Sequence, residues 1–173
     1  IDYEKAAFWF EKAARQGSAS ALNDLGNMHS LGLFYEKNEA HAVGLYQISA
    51  ELGNPGGQYS YGQYLLKSDD PKIVADGLLL LSKAADSGFE KAQTTLALHY
   101  IEGDVVQKDF DKAFQLFSAA AASDDLEGIV GLGMNYANGY GCEKNASKAS
   151  DLFRIAAEQG SSQAQFNLAW DYH

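Results

Sequence analysis

Apolar positions along the chain recur at offsets of three, four, seven and eight residues, the spacing of one face of an α-helix and not the alternation of a strand. Read with Pro near helix starts and Gly near helix ends, the pattern predicts helices over 2–16, 18–31, 39–52, 55–67, 71–87, 89–102, 109–123, 125–138, 146–159 and 161–172. The helices alternate between two types. The first carries a small residue followed four, five and eight positions later by Leu, Gly or Ala, and an aromatic, as in Ala92, Leu96, Ala97 and Tyr100 or Gly128, Leu132, Gly133 and Tyr136. His29 and Tyr172 fill the aromatic position in other copies. The second type carries a small residue with two large apolar groups three and four positions on, as in Ala42 with Leu45 and Tyr46, Ala113 with Leu116 and Phe117, and Ala149 with Leu152 and Phe153.

These units repeat. Equivalent positions Gly17, Gly53, Gly88, Asp124 and Gly160 are spaced 36, 35, 36 and 36 residues apart, and the short interval reflects one residue missing between Ser68 and Gly77. One helical hairpin cannot bury its own apolar face, so stacking of successive copies is required. The expected fold is all-α, a right-handed α/α solenoid of hairpin repeats. Its expected domain is a single run over 1–173, with a partial repeat at 1–16, repeats at 17–52, 53–87, 88–123 and 124–159, and a partial repeat at 160–173. Ile1 falls in mid-motif and the terminal units are half hairpins, so the chain reads as a fragment whose repeats continue at either end, or whose ends are capped by dimerisation.

The run Ala-x-x-x-Leu-Gly-x-x-Tyr-x-x-Gly, then Asp-x-x-Lys-Ala, then Lys-Ala-Ala-x-x-Gly resembles the Sel-one-like repeat family, a relative of tetratricopeptide repeats. It is best kept from Ala92 through Gly103 to Asp109 and Lys112-Ala113, and from Gly128 through Gly141 to Lys148-Ala149 and Gly160. The second repeat departs most, with Tyr61, Leu65 and Ser68 at the Leu, Tyr and Gly positions. The resemblance implies a non-catalytic scaffold or adaptor for protein–protein interaction, with relatives in signalling, envelope, host-interaction, immunity and ubiquitin-ligase systems. A dedicated inhibitor or immunity protein acting through an acidic surface is the alternative, and a hydrolase like that claimed for cysteine-rich relatives a remote one. Those relatives staple each repeat with a disulfide, for which Cys142 alone is insufficient.

On the first helix type the packing positions average near 70° around the axis, so residues at offsets 2, 6 and 10 fall on the opposite arc, where such solenoids bind partners. That stripe comprises Asn23, Asn27 and Leu31; Tyr59, Gln63 and Lys67; Thr94, Leu98 and Glu102; Val130, Met134 and Asn138; and Phe166 and Trp170. It is polar in the early repeats and apolar in the last. The expected contacts with a partner peptide or helix are Asn23, Asn27, Tyr59, Gln63, Thr94, Leu98, Met134, Asn138, Phe166 and Trp170, with Met134, Phe166 and Trp170 as anchors. Phe166 and Trp170 fit equally well as packing surface for a following helix. Val130 and Leu98 are expected in ordinary inter-helix packing.

Charge narrows the partner class. The formal net charge of −10 and pI near 4.7 disfavour nucleic acid, whose binding needs clustered Lys and Arg. No apolar run approaches the roughly 18 residues of a membrane span, so the segment is expected to be soluble, with its compartment open.

Candidate chemistry adds little. His29, His41, His99 and His173 are too scattered for a paired metal motif, so no metal, cofactor or catalytic residue is expected. Gly139-Tyr140-Gly141-Cys142 reads as an inter-helix turn, and Cys142 as an inert thiol. Asn145-Ala146-Ser147 matches the glycosylation acceptor triplet. Asp69-Asp70 and Asp124-Asp125 stand where carboxylates cap helices.

Overall fold

The computed structural model describes residues 1–171. Ten α-helices and no strand occur among them: α1 (Tyr3–Ala14), α2 (Ala19–Leu31), α3 (Glu39–Glu51), α4 (Pro55–Leu65), α5 (Pro71–Asp86), α6 (Glu90–Glu102), α7 (Phe110–Ala122), α8 (Leu126–Asn138), α9 (Ala146–Glu158) and α10 (Ser162–Asp171). Each lies within two residues of its predicted bounds. The protein is thus in the all-α, hairpin-repeat class. Tyr172 and His173, the last aromatic position and the fourth histidine, lie outside the described residues. The chain divides into two compact units, Ile1–Ser87 and Gly88–His173.

Local chemistry sets the helix ends. Side chains of Ser18, Asn38, Asn54, Asp70, Asp109, Asp125 and Asn145 each accept from a backbone N–H in the first turn of the helix that follows, satisfying donors that have no partner inside the helix. Asn145, the first residue of the acceptor triplet, is therefore a cap of α9. Gly32, Gly103 and Gly139 end α2, α6 and α8 in the left-handed conformation. At the tight turn between hairpins the repeats use Gly, except that Asp124 takes φ of 60° where its counterparts Gly53, Gly88 and Gly160 have 82° to 95°.

In the first unit α2 packs on α3 and α4 on α5 as hairpins, while α1 covers α2 and α3 joins α4. The small positions of one helix meet the large groups of the other. A Cβ on Gly26 would come within 2.5 Å of the Tyr46 ring, and Tyr46, buried, donates through its hydroxyl to Asn27 Oδ1 at 2.9 Å. The departing second repeat closes differently: Gly62 and Gly77 face each other, and a Cβ on either would lie about 3 Å from the other's carbonyl oxygen. The α4–α5 connection is correspondingly short, and α5 is 16 residues long against 13 for α3. Leu81, fully buried, fills the space beside this pair.

His29 occupies the aromatic position, stacked 4.2 Å from Tyr35 and edge-on to His41 at 4.4 Å. Burial, reinforced by the neighbouring His41, pushes its pKa below the usual histidine value. The folded state therefore favours neutral His29, and protonation favours unfolding. Its contribution to stability is complete above about pH 6.5 and is lost as pH falls below that value. Thermal melts between pH 7 and 5.5 should show the midpoint dropping with pH. His29→Tyr, which installs the residue found at positions 100 and 136, should flatten that dependence.

The second unit repeats the plan. α6 pairs with α7 and α8 with α9, α7 joins α8, α9 supports α10, and α6 and α8 touch directly. Two clusters form its interior: Ala97, Ala113 and Phe117 between α6 and α7, and Ile129, Val130, Ala149, Phe153, Ala156 and Ala164 across α8 to α10. A Cβ on Gly133 would lie 2.6 Å from the Phe153 ring, the same small-against-large match as Gly26 with Tyr46. No described helix is long and apolar enough to cross a membrane.

Candidate functional site

The second unit carries a groove of about 750 Å³. Thr94, Leu98, Ile101 and Glu102 of α6 form one wall, and Leu126, Glu127, Val130, Gly131 and Met134 of α8 the other. Phe117 of α7 closes the floor, Tyr140 stands at one end, and the α9–α10 turn with the start of α10, Gly160 to Gln163, at the other. Because α6 and α8 are the same helix of successive repeats, residues 36 apart lie side by side, and the i, i+4 spacing keeps Thr94 and Leu98, or Val130 and Met134, on one face. Leu98 is 48% exposed and Met134 37%, whereas Phe117 is 2% exposed. Water-accessible apolar groups thus rest on a rigid apolar floor.

The α8–α9 turn supports the Tyr140 end. Gly139 and Tyr140 both donate backbone N–H groups to Asn135 O, Cys142 Sγ lies 3.5 Å from the same oxygen, and Tyr140 stacks on Phe110 at 4.3 Å. A Cβ on Gly141 would come within 2.2 Å of Phe110 O, so the glycines permit close chain approach. Burial pushes the Cys142 thiol above its usual pKa, which lowers its thiolate fraction and its nucleophilicity.

The stripe anticipated from sequence is only partly assembled here. Thr94, Leu98 and Met134 line the groove, with Val130 and Glu102 beside them. Val130 is buried, as expected of packing, but Leu98 is not. Asn138 sits one turn beyond Met134 and donates from Nδ2 to Met134 O at 2.8 Å. Phe166 and Trp170, on α10, do not line the groove; they are 63% and 65% exposed and meet edge-to-face at 6.3 Å. Asn23, Asn27, Tyr59 and Gln63 belong to α2 and α4 of the first unit. There Asn23 Oδ1 accepts from the Ser60 hydroxyl at 3.2 Å, and Asn27 Oδ1 accepts from Tyr46. Those oxygens therefore serve the fold. Ile101, Phe117, Tyr140 and the 160–163 turn escaped the stripe because it treats each helix as an isolated cylinder. Phe117 had a packing signal in the sequence, as a large group of the second helix type.

One titratable cluster stands next to the groove. His99, Glu102 and Asp104 hold ligand-type atoms within 4.8 Å of one another, a grouping that the scatter of histidines in the sequence concealed. Asp104 Oδ1 accepts from Val105 N at 2.7 Å and lies 2.9 Å from His99 Nδ1. The His–Asp pair thereby braces the turn that follows α6. These bonds hold the Asp104 carboxyl below its usual pKa against the opposing effect of burial.

A family model described as Sel1 repeat matches residues 1–18, 19–54, 56–89, 90–125 and 126–161. The chain belongs to the Sel1 repeat family. Among similar proteins, an F-box protein of Arabidopsis thaliana is 34% identical over 105 residues, covering 60% of this chain and 28% of that protein. The crystal structure of a protective antigen of uropathogenic Escherichia coli, displaying an SLR fold, superposes with a TM-score of 0.79 at 29% identity, over 95% of this chain and 35% of the antigen. An immunity protein of Pseudomonas aeruginosa gives a TM-score of 0.67 at 27% identity, over 94% of this chain and 60% of that one. This chain spans only about a third of the length of the first two. The Sel1 repeat fold generally mediates protein–protein interaction, and the family is generally a non-catalytic scaffold.

Proposed function

We propose that this Sel1 repeat chain is a non-catalytic interaction module that holds an exposed peptide or helix of a partner protein in the α6–α8 groove. The observation that carries the reading is the exposure of Leu98 and Met134 above a buried Phe117 in one groove. Apolar side chains left accessible in a concave, otherwise packed surface are the usual anchors for a partner's side chains. Phe166 and Trp170 on α10 and Asn138 at the end of α8 extend the contact set in the second unit. Asn23, Asn27, Tyr59 and Gln63 supply a more polar set in the first.

The test is panning of a random ten-residue peptide phage library against the whole chain. Selected clones should lose binding to Leu98→Ser and Met134→Ser variants whose circular dichroism and melting match the parent. Clones that bind parent and variants alike, or a library that yields no enrichment, would remove the groove from consideration.

The likeness to an immunity protein and the net charge of −10 favour a second reading, a dedicated inhibitor that blocks one target. Such a protein binds a single partner with nanomolar affinity and an association rate that falls steeply with salt, whereas a scaffold accepts several related segments.

A further inference from the structure

The groove has carboxylates at both ends and no cation in its lining. Glu102 is the last residue of α6 and Glu127 the second residue of α8, and both line it. The second unit carries twelve Asp and Glu against six Lys and Arg. Among the described residues its ion pairs join Lys112 to Asp109, Arg154 to Asp151 and His99 to Asp104, and none involves Glu102 or Glu127. The two ends are not electrostatically equal. Glu102 stands at the negative end of the α6 dipole with Asp104 just beyond it, while Glu127 stands at the positive end of α8. A cation is held more strongly at the Glu102 end.

The repeat fixes the distance between the ends. The 36-residue period sets Glu102 level with Asn138, eleven residues beyond Glu127, which is about 16 Å of helix rise. Extended chain covers that span in about five residues at roughly 3.3 Å each, and since successive side chains alternate between faces, six is the smallest spacing that spans it with both end groups on one face. Between the ends lie Leu98, Val130 and Met134, which present only apolar surface.

Building on the groove reading above, we propose that its occupant is an extended partner segment with two Lys or Arg side chains six residues apart and, on the same face between them, apolar side chains at alternate positions. The cations meet Glu102 and Glu127, and the apolar groups seat over Leu98 and Met134.

The probe is a rhodamine-labelled peptide, Gly-Lys-Thr-Leu-Thr-Leu-Thr-Lys-Gly with blocked ends, titrated with the whole chain and followed by fluorescence anisotropy. Two controls accompany it, one with both lysines replaced by glutamate and one with the lysines adjacent. The glutamate peptide should bind at least tenfold more weakly and the adjacent-lysine peptide about fivefold. A Glu102→Gln, Glu127→Gln double variant should weaken the lysine peptide about tenfold, the sum of two exposed ion pairs, with Glu102→Gln alone contributing the larger share. Equal affinity for the lysine and glutamate peptides, insensitivity to the double variant, or no saturable binding of the lysine peptide would overturn the proposal. If binding is indifferent to charge but lost in Leu98→Ser, the groove reading survives and this one fails. If the lysine peptide binds equally well to Leu98→Ser, both fail. Self-association of the chain that Leu98→Ser and Glu102→Gln both abolish, seen by sedimentation velocity, would assign the groove to a second copy and also overturn the proposal.

Discussion

Phe117→Ala is expected to cost about 3–5 kcal/mol of stability, seen as a lower midpoint in urea unfolding followed by circular dichroism. Phe117 is 2% exposed and packs with Ala97 and Ala113, flanked by Tyr100, Ile101, Leu116 and Leu132. The ring is held between packed helices, so the space it leaves closes only partly, and the cavity adds to the lost burial. A loss of this size is a large share of the roughly 5–15 kcal/mol that holds a typical domain folded. The same ring explains Gly131, where a Cβ would stand 2.2 Å from two ring carbons. Gly131→Ala alone should destabilise, since overpacking of about 1–3 kcal/mol outweighs the roughly 1 kcal/mol that Ala gains over Gly in a helix. In the Phe117→Ala background the clash disappears and Gly131→Ala should become neutral or stabilising. A double-mutant cycle should therefore give a favourable coupling above about 1 kcal/mol. Additive effects would mean that ring and glycine do not constrain each other.

Gly128→Val is expected to destabilise by about 3 kcal/mol. A Cβ on Gly128 would meet Ala120 Cβ at 2.6 Å and the Ala121 backbone nitrogen at 2.7 Å. No rotamer change removes either obstacle, so α7 and α8 must separate, disturbing the floor and one wall of the groove together. Gly44 in α3 provides the control. Nothing lies within 4 Å of a Cβ there, and Gly44→Ala should stabilise by up to about 1 kcal/mol through helix propensity alone. If Gly128→Val and Gly44→Val proved equally costly, the close approach at Gly128 would not be the cause.

These glycines also separate what was legible in the sequence from what was not. The repeat period marked Gly128 and Gly133 as small positions, and the structure gives each a close neighbour. Gly131 lies outside the repeating pattern, and only the placement of Phe117 across the α7–α8 contact explains it. Cap residues such as Asp70, Asp125 and Asn145 were legible because they act within one or two turns of their own helix. The acidic ends of the groove were not. Glu102 and Glu127 are 25 residues apart in the chain, and nothing in a single helix relates them.

The sequence by itself determined the ten helices, their hairpin pairing and membership of the repeat family, because periodicity, caps and turn residues act over a few residues and recur five times. Tertiary structure decided which stripe residues share a surface. It brought Thr94, Leu98 and Met134 into one groove, left Phe166 and Trp170 on α10 outside it, and tied the oxygens of Asn23 and Asn27 into the fold. The physical reason is that the arc a side chain occupies on its helix follows from local geometry. Whether that arc opens to water depends on the volumes of residues on neighbouring helices, and those meet only when the hairpins stack.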